Sequence, residues 1–442
     1  MGTTLQAQDR GLRIIQVEEK VPLFQGIPLS LQHLFAMFGA TVLVPFLFKV
    51  DPSTSLLMNG VGTLTYLLVT RGRIPAYLGS SFAFIAPVMA VMAVPALGGY
   101  SAAQGGFIVF GLFFIFVSLI VRQAGTRWLD IIFPPAAMGA VVAVIGLELA
   151  PVAASMAGLV NGPGPLPANH GITLLVSVGT LVVAVLVSLF ARGFLTVIPV
   201  LVGVVVGYLL SMAMGLVDFG AVAAAPWIAA PHFYKPVFSL QAILVIFPAC
   251  LVVLAEHVGH LVVTGSVVGR ELMEDPGLHR SLLGDGISNV LSGLVGATPN
   301  TTYGENIGVM AITRVYSVWV IGGAAVIAVL VSFVGKVGAL IRSIPVPVMG
   351  GICILLFGVI AAAGIRMILE KKVDYTKPAN LILSAITFVV GVSGAKVNLG
   401  TVELKGMALA TVVAIVMGLL VHLSDRVRGV ESVTIGKVQE AE

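Results

Sequence analysis

The chain has 442 residues, of which 58% are hydrophobic and 10% are charged, and its mean hydropathy is +1.07. A soluble domain cannot expose so much apolar surface to water, so the composition predicts an integral membrane protein. The net charge of +4 is spread over short segments between apolar runs, and no basic domain suggests a nucleic-acid partner.

Apolar runs recur along the whole chain and set the expected architecture. An α-helix needs about 20 apolar residues to cross the hydrocarbon core of a bilayer, and several runs approach that length without a formal charge. They are apolar on every side and do not alternate in polarity, which excludes a transmembrane β-barrel. The sequence predicts about fourteen spanning helices, centred near residues 39, 62, 87, 113, 144, 181, 205, 252, 288, 307, 325, 353, 387 and 413.

The ends of the chain indicate its orientation. The polar N-terminus lacks the apolar core of a signal peptide, so the first span is expected to direct insertion. An even number of spans places both termini on the same side of the membrane. With both termini in the cytoplasm, most of the 24 Lys and Arg residues fall in cytoplasmic loops, as the positive-inside rule requires.

Two pairs of segments indicate an internal repeat. Residues 79–90 (GSSFAFIAPVMA) resemble residues 300–311 (NTTYGENIGVMA), and residues 134–140 (PPAAMGA) resemble residues 345–351 (PVPVMGG) in the same order. The spacing corresponds to seven spans, and because seven is odd, the second copy enters the membrane from the opposite side. Such an inverted repeat is typical of secondary transporters and is not expected of a channel or a membrane enzyme.

The first matched pair also predicts two discontinuous helices. In each copy, two small hydroxyl residues precede a short apolar run, which contains Pro87 in one copy and Gly308 in the other. Unwound backbone at membrane depth is tolerated only where it lines a cavity, and there its N–H groups and helix N-termini point at the solute. The alternative is a pair of short helices that pack closely through Gly and Ser.

Carboxylates at membrane depth are costly and usually functional. Glu305 lies in the repeated segment where the first copy has Phe84, so it breaks the two-fold symmetry and is a candidate for solute specificity. Glu256 precedes His260 by four residues, so on a helix both side chains share one face and can hold or pass a proton. His257 points about 100° away from that face. The alternative for Glu256 and His260 is a hydrogen-bonded latch between helices.

Three further polar residues lie in or near the predicted spans. Asp285 lies near the start of a short span and is predicted to be a helix N-cap. Glu148 lies near the outer end of its span, where it is either an interface contact or part of a gate. His33 on the first span hydrogen-bonds either to the site or only to its neighbours.

Other chemistry lacks its motif in this sequence. No cluster of His and Cys accompanies Glu256 and His260, so no metal site is predicted, and Cys250 and Cys353 are expected to pack as small apolar side chains. There is no Gly-x-Ser-x-Gly elbow of a hydrolase and no Gly-rich phosphate loop. We therefore expect neither an enzyme nor an ATP-driven pump, and no cofactor; transport is expected to run on an ion gradient.

Residues 305–314 (ENIGVMAITR) resemble the signature of the nucleobase/ascorbate transporter family, in which Glu, Gln or Pro precedes Asn-x-Gly, then four residues, then Thr and a basic residue or Gly. Residues 30–33, 74–84, 255–260 and 299–304 extend the resemblance, which covers roughly residues 20 to 425. Purine carriers of the family commonly have Gln where Glu305 stands, so the sequence is most similar to the uracil branch.

The resemblance implies an all-α membrane fold of fourteen spans in a seven-plus-seven inverted repeat, with short antiparallel β-strands in spans 3 and 10. A core domain would comprise residues 27–128 and 240–338, which hold spans 1–4 and 8–11. A gate domain would comprise residues 129–239 and 339–425, which hold spans 5–7 and 12–14. Residues 1–26 and 426–442 would be cytoplasmic, the membrane would be the bacterial cytoplasmic (inner) membrane, and a homodimer would form through the gate domain.

The resemblance also implies a uracil site and a proton partner. Its implied uracil contacts are the carboxylates of Glu256 and Glu305, the ring of Phe82, and Ser81, Tyr303 and Gly304; His260 would serve proton coupling with Glu256. Uracil is flat and neutral and has two N–H donors and two C=O acceptors, so it needs acceptors, backbone donors and an aromatic face. Burial without a cation favours a protonated carboxyl group, so proton binding would ease uracil entry and link the two gradients.

Three alternatives stay open. A xanthine or purine carrier of the same family would share the fold and most of the motif. An anion transporter of similar architecture would need a cation or bare helix N-termini at the site, and two acidic residues there argue against it. A channel would conduct the solute without a proton.

Overall fold

The computed structural model describes residues 14–160, 169–399 and 402–427. In the N-terminal half, apolar runs form helices that end at Gly, Pro and charged residues. The elements are α1 (Leu23–Ala36), α2 (Phe38–Phe48), α3 (Pro52–Val69), strand β1 (Leu78–Ser80), α4 (Ile85–Ala93), α5 (Gly99–Ala124), α6 (Arg127–Ile132), α7 (Pro135–Met156), α8 (His170–Phe190), α9 (Pro199–Ala213) and α10 (Gly220–Ala224). Turns of 3-10 helix occupy Phe82–Phe84, Pro95–Leu97 and Gly193–Val197.

The C-terminal half has a similar alternation of long and short helices. Its elements are α11 (Leu240–Val268), α12 (Leu278–Val295), strand β2 (Asn300–Thr302), α13 (Gly304–Thr313), α14 (Val318–Ser332), α15 (Gly335–Arg342), α16 (Val346–Glu370), α17 (Pro378–Val392), strands β3 (Lys396–Leu399) and β4 (Val402–Lys405), and α18 (Gly406–Val427). A π-helical turn at Met273–Gly277 connects α11 to α12.

The ends of several helices follow from local sequence chemistry. Asp51 caps α3 by accepting a hydrogen bond from the Ser53 N–H, and Pro52 occupies the first helical position, where its missing N–H costs nothing. Ser239 caps α11 in the same way. Gly296 ends α12 with a positive φ of 86°, a conformation that favours glycine.

Each of the predicted span centres falls in a helix. In the described chain, six helices are long and apolar enough to cross a membrane: α5, α7, α8, α11, α16 and α18. The pair α1 and α2 passes the same test together but is bent by 41°. These helices confirm an integral membrane protein, whereas the total of fourteen spans stays a prediction because the other helices are shorter or less apolar.

The principal helix contacts come in matched pairs. Helix α5 packs on α12 and α3 on α14; α8 packs on α9 and α17 on α18; α7 packs on α16. Glycines permit the closest approaches: a Cβ on Gly111 of α5 would lie 2.6 Å from the carbonyl oxygen of Gly286 on α12. Small residues let helix backbones meet in this way, which compensates for the weak hydrophobic drive between helices in lipid.

Candidate functional site

The two repeated segments meet as a short antiparallel strand pair. Gly79 of β1 pairs with Thr301 of β2, and the backbone ladder continues beyond the strands, where the Tyr303 N–H donates to the Tyr77 carbonyl at 3.0 Å. A side chain on Gly79 would collide with the Tyr303 ring, so this position needs glycine. The predicted strands in the two discontinuous spans are confirmed.

A helix begins directly after each strand. Phe82–Phe84 and α4 follow β1, and α13 follows β2 at Gly304. Because the strands are antiparallel, the helices leave the pair in opposite directions, and their N-termini lie at its two ends. The first N–H groups of each helix have no partner within the helix, so both ends are suited to donate hydrogen bonds to a solute.

The two predicted acidic ligands lie near each other. Glu305, in the first turn of α13, is exposed, and Glu256 on α11 is half-buried. The carboxylates are close enough to interact electrostatically. In the described chain, no hydrogen bond or ion pair joins either of them to another residue, so both are free to accept from a solute.

The repeat explains why only one copy carries an acid. Phe84, the counterpart of Glu305, is fully buried, and its ring centroid lies 4.8 Å from that of Phe110 on α5. The apolar side chain therefore packs into the core of the protein, whereas the acidic one faces open space. The two matched segments therefore differ at this position, as the sequence predicts.

The other predicted site residues lie around these acids. Phe82 is half-buried and packs against the apolar cluster that contains Tyr303, whose hydroxyl donates to the Ser80 carbonyl at 3.0 Å. A Cβ on Gly304 would lie 3.3 Å from Nε2 of His260, so this histidine borders the start of α13. Ser81 is buried, and its Oγ has no hydrogen-bond partner in the described chain.

His260 does not bind its predicted partner. Its Nδ1 forms a hydrogen bond with Oγ1 of Thr302 at 3.1 Å, and the described chain has no hydrogen bond between His260 and Glu256. Glu256 and His260 both lie on α11, four residues apart, as predicted, but strand β2 passes beside this helix and presents a hydroxyl to the histidine ring. The residue therefore connects α11 to the strand pair.

Asp285 is not the helix cap that its position suggested. Helix α12 already begins at Leu278, so Asp285 lies in its second turn, fully buried, with Oδ2 2.9 Å from Nδ1 of His257. Nε2 of His257 forms a hydrogen bond with Ser281 Oγ at 2.7 Å, and this hydroxyl bonds in turn to the Tyr66 hydroxyl. The four-residue spacing of Ser281 and Asp285 was the signal that the sequence analysis missed.

The same contacts reach strand β2. Nδ2 of Asn289 donates to Oδ1 of Asp285 at 2.9 Å, and Oδ1 of Asn289 accepts from the Asn300 N–H at 2.7 Å. Asn300 is the first residue of β2. A buried polar network thus runs from α3 through α11 and α12 to Asn300 and stabilises the strand pair.

The two remaining polar residues have defined contacts. Nδ1 of His33 lies 3.0 Å from Nδ2 of Asn306, the residue after Glu305, so His33 bonds to a neighbour of the site. Glu148 accepts a hydrogen bond from the Met407 N–H at 2.8 Å, at the start of α18. Glu148 is therefore an interface contact that caps this helix.

Sequence comparisons agree over most of the chain. A sequence family described as the Permease family matches residues 24–400. A uracil permease of Escherichia coli (strain K12) is 60% identical over 421 residues, which cover 95% of this chain and 97% of that protein. Uracil permeases of Paenibacillus larvae and Bacillus subtilis (strain 168) are 56% and 46% identical and cover 94% and 90% of this chain and 98% and 92% of their own lengths.

Solved structures with the same fold are much more distant in sequence. SLC26A9 matches with a TM-score of 0.67 at 11% identity, over 91% of this chain and 66% of that chain. The transmembrane domain of the cyanobacterial bicarbonate transporter BicA matches with a TM-score of 0.58 at 16% identity, over 92% of this chain and 99% of that domain. These two similarities concern the fold alone, whereas the sequence comparisons establish that the chain belongs to this permease family, the nucleobase/ascorbate transporters, and is a membrane transport protein and not an enzyme.

Proposed function

We propose that the protein imports uracil with protons across the bacterial cytoplasmic membrane by alternating access. The observation that carries the proposal is the pair of unpartnered carboxylates, Glu256 and Glu305, beside two interrupted helices. Relatives at 46–60% identity over nearly their whole length are named uracil permeases, which supports uracil as the solute.

The groups around the site match the hydrogen-bonding edges of uracil. The carboxylates of Glu256 and Glu305 accept from its two N–H groups, and the free N–H groups at the start of α13 donate to its carbonyl oxygens. Phe82 supplies an aromatic face for the ring. Ser81, Tyr303 and Gly304 lie next to these groups and complete the site.

The proposed proton coupling is supported by the two neighbouring acids, which form no ion pair with a cation in the described chain. Two carboxylates close together repel each other, and one proton relieves this repulsion. Uracil and a proton then bind more favourably together than separately, which is the condition for symport. His260 and Glu256 serve proton coupling, and the hydrogen bond of His260 to Thr302 links the protonation of this region to strand β2. The proton gradient supplies the free energy for transport, and no cofactor is part of the proposal.

The helix contacts support a seven-plus-seven inverted repeat. If each helix is replaced by its counterpart seven spans away, the contact of α5 with α12 becomes that of α14 with α3. In the same way, the contact of α8 with α9 becomes that of α17 with α18. Helices α7 and α16 are themselves seven spans apart, so the same shift exchanges them and leaves their contact unchanged. In the proposed arrangement of fourteen spans, the core domain (residues 27–128 and 240–338) moves against the gate domain (residues 129–239 and 339–425).

The remaining parts of the proposal concern orientation and assembly. Both termini are cytoplasmic, and two copies associate through the gate domain. Residues 1–13 and 428–442, which include most of the proposed cytoplasmic ends, lie outside the described residues.

The fold is shared with anion transporters, so an anion is the chief rival solute from another class. An anion site of this architecture uses helix N-termini without acidic residues nearby. Here Glu305 occupies the first turn of α13 and Glu256 lies close to it. Their negative charge disfavours an anion and favours a neutral solute that donates hydrogen bonds.

Competition uptake tests the choice of solute. Cells that lack their own uracil carriers are given the full-length protein and labelled uracil. We expect saturable uptake that excess unlabelled uracil suppresses and excess xanthine does not. Equal competition by xanthine would make the protein a purine carrier of the same family, and uptake that does not saturate would indicate a channel.

A further inference from the structure

A short N-terminal segment, residues 14–20, lies along the cytoplasmic side of the proposed core domain; we call it the N-terminal strap. The Ile15 N–H donates to the Arg314 carbonyl at 3.0 Å, and the Tyr316 N–H donates to the Ile15 carbonyl at 2.9 Å. The Val318 N–H continues this parallel ladder to the Val17 carbonyl at 2.9 Å. The strap is thus paired with the chain that links α13 to α14.

Side chains fasten the strap in the same place. Val17 is fully buried. Ser317 Oγ donates to the Glu19 carbonyl at 2.6 Å, and Nζ of Lys20 lies 4.7 Å from the ring centroid of Trp319, a cation–π distance. A segment held by a backbone ladder, a buried side chain and these contacts has a fixed position.

The strap is also bound to the end of α11. The two Nη atoms of the Arg270 guanidinium donate to the two oxygens of the Glu18 carboxylate, at 2.5 and 2.7 Å. Arg270 directly follows Gly269, the residue that ends α11. The bidentate geometry is the strongest form of this pair, and the Arg270 guanidinium lowers the pKa of Glu18. A second pair, Arg73 with Asp275, lies close by.

These contacts connect the two helices that carry the acidic ligands. Helix α13 runs from Glu305 to its end at Arg314, about 14 Å away, and α11 runs from Glu256 to Arg270, about 21 Å away. Helix α13 has only 10 residues and follows a strand of 3 residues. Such a short helix after a short strand is weakly fixed in direction by its own contacts. A displacement of its C-terminal end therefore also shifts Glu305 at its N-terminal end.

We infer that the strap is a positioning element that holds the cytoplasmic ends of α11 and α13 together, so that Glu256 and Glu305 meet one solute. Glu18 and Arg270 touch no solute and act through the two helices. The inference rests on the proposed function, because it assigns both acids to the same uracil site.

Charge reversal tests the inference in the full-length protein. Glu18→Arg places two cations together, and we expect the Kd for uracil in calorimetry to rise about fivefold. The double variant Glu18→Arg with Arg270→Glu restores the attraction and is expected to return the Kd to within about twofold of wild type. If Glu18→Arg does not fold, Glu18→Gln removes the charge alone and is expected to raise the Kd about twofold.

The chain offers a matched control pair. Arg366 and Glu370 form an exposed ion pair on α16, with Nε and Oε1 2.7 Å apart. Reversing this pair in the same way is expected to leave uracil binding unchanged. A wild-type Kd in Glu18→Arg would overturn the inference.

A measurement without solute separates this inference from the proposed function. Spin labels at Ser266→Cys on α11 and Ile312→Cys on α13 report the distance between the two helix ends; both positions are exposed, and the native Cys250 and Cys353 are buried. We expect one narrow distance in wild type, a broad distribution in Glu18→Arg and a narrow one in the double variant. An unchanged distribution in Glu18→Arg overturns the strap, whereas wild-type protein that fails to bind uracil overturns only the proposed function.

Discussion

Nδ1 of His260 lies 3.1 Å from Oγ1 of Thr302, so a hydrogen bond joins α11 to strand β2 one helical turn beyond Glu256. The carboxylates of Glu256 and Glu305 have no such partner in the described chain. The histidine therefore links the protonation of this region to the position of the strand pair, while the acids stay available to the solute.

This arrangement predicts that His260→Ala separates binding from coupled transport. Removing the ring leaves both acidic acceptors in place, so uracil binding and exchange of labelled for unlabelled uracil are expected to persist. Net accumulation driven by a pH gradient is expected to fail. Thr302→Val removes the same hydrogen bond from the strand side and should reproduce part of this loss.

Thr65→Val is the matched control, because within the described residues the Thr65 hydroxyl bonds only to the Val61 carbonyl of its own helix. It should leave both exchange and accumulation at wild-type levels. Loss of uracil binding in His260→Ala at every pH from about 5 to 8 would instead make His260 a direct ligand.

Glu305→Ala is expected to weaken uracil binding strongly. A hydrogen bond to a charged group contributes about 1.5–3 kcal/mol, so its loss raises the Kd by about 10- to 150-fold. Calorimetry on the purified protein measures this change. Glu370→Ala, which removes an exposed acid on α16, is the control, and wild-type affinity in Glu305→Ala would reassign the residue to a structural role.

Gly79→Ala is expected to destabilise the protein by about 1–3 kcal/mol, because the added methyl group overlaps the Tyr303 ring. Gly308→Ala provides the contrast: a Cβ there meets no atom within 4 Å, and alanine favours the helix. Thermal unfolding in detergent compares the two variants. Equal midpoints for Gly79→Ala and wild type would show that the strand pair is not packed as described.

The ion pair of Glu18 with Arg270 predicts a pH dependence of stability. The pKa of Glu18 is lowered from its ordinary value of 4.5, mainly by its hydrogen bonds to Arg270. The stabilisation is therefore fully present above pH 4.5 and is lost as the pH falls through the lowered pKa. Because both groups are partly exposed and solvent screens them, it amounts to about 0.2–1 kcal/mol.

Thermal unfolding of wild type and Glu18→Gln from pH 8 to pH 3 measures this dependence. The difference between their midpoints should stay constant down to about pH 5.5 and shrink below pH 4.5. A difference that persists undiminished at pH 3 would mean that the carboxylate charge is not its cause.

Sequence patterns predicted the helices and the two interrupted segments because apolar length, hydroxyl pairs and the repeat are properties of the chain itself. The resemblance to the nucleobase/ascorbate transporters, and not these patterns, grouped Glu256, Glu305 and Tyr303 in one site. The patterns failed where a partner comes from another element: His260 bonds to Thr302, and His257 bonds to α12. Helical spacing predicts which residues are neighbours on one helix, but it does not predict which strand or helix packs against that helix.

Asp285 illustrates a second limit. Its place near the start of a short apolar run suggested a cap, but α12 begins earlier, at Leu278, in a stretch with polar residues. A buried acid and a buried histidine on different helices lie 2.9 Å apart, and this pairing allows a polar helix turn inside the protein. Only the packing of α11 on α12 reveals the pair.

The most direct test of the account is the accumulation of labelled uracil in proteoliposomes with an imposed proton gradient, with and without a protonophore. We predict saturable accumulation above the external concentration, which collapses to equilibrium when the protonophore removes the gradient. Accumulation that is unchanged by the protonophore would contradict proton-coupled uracil transport.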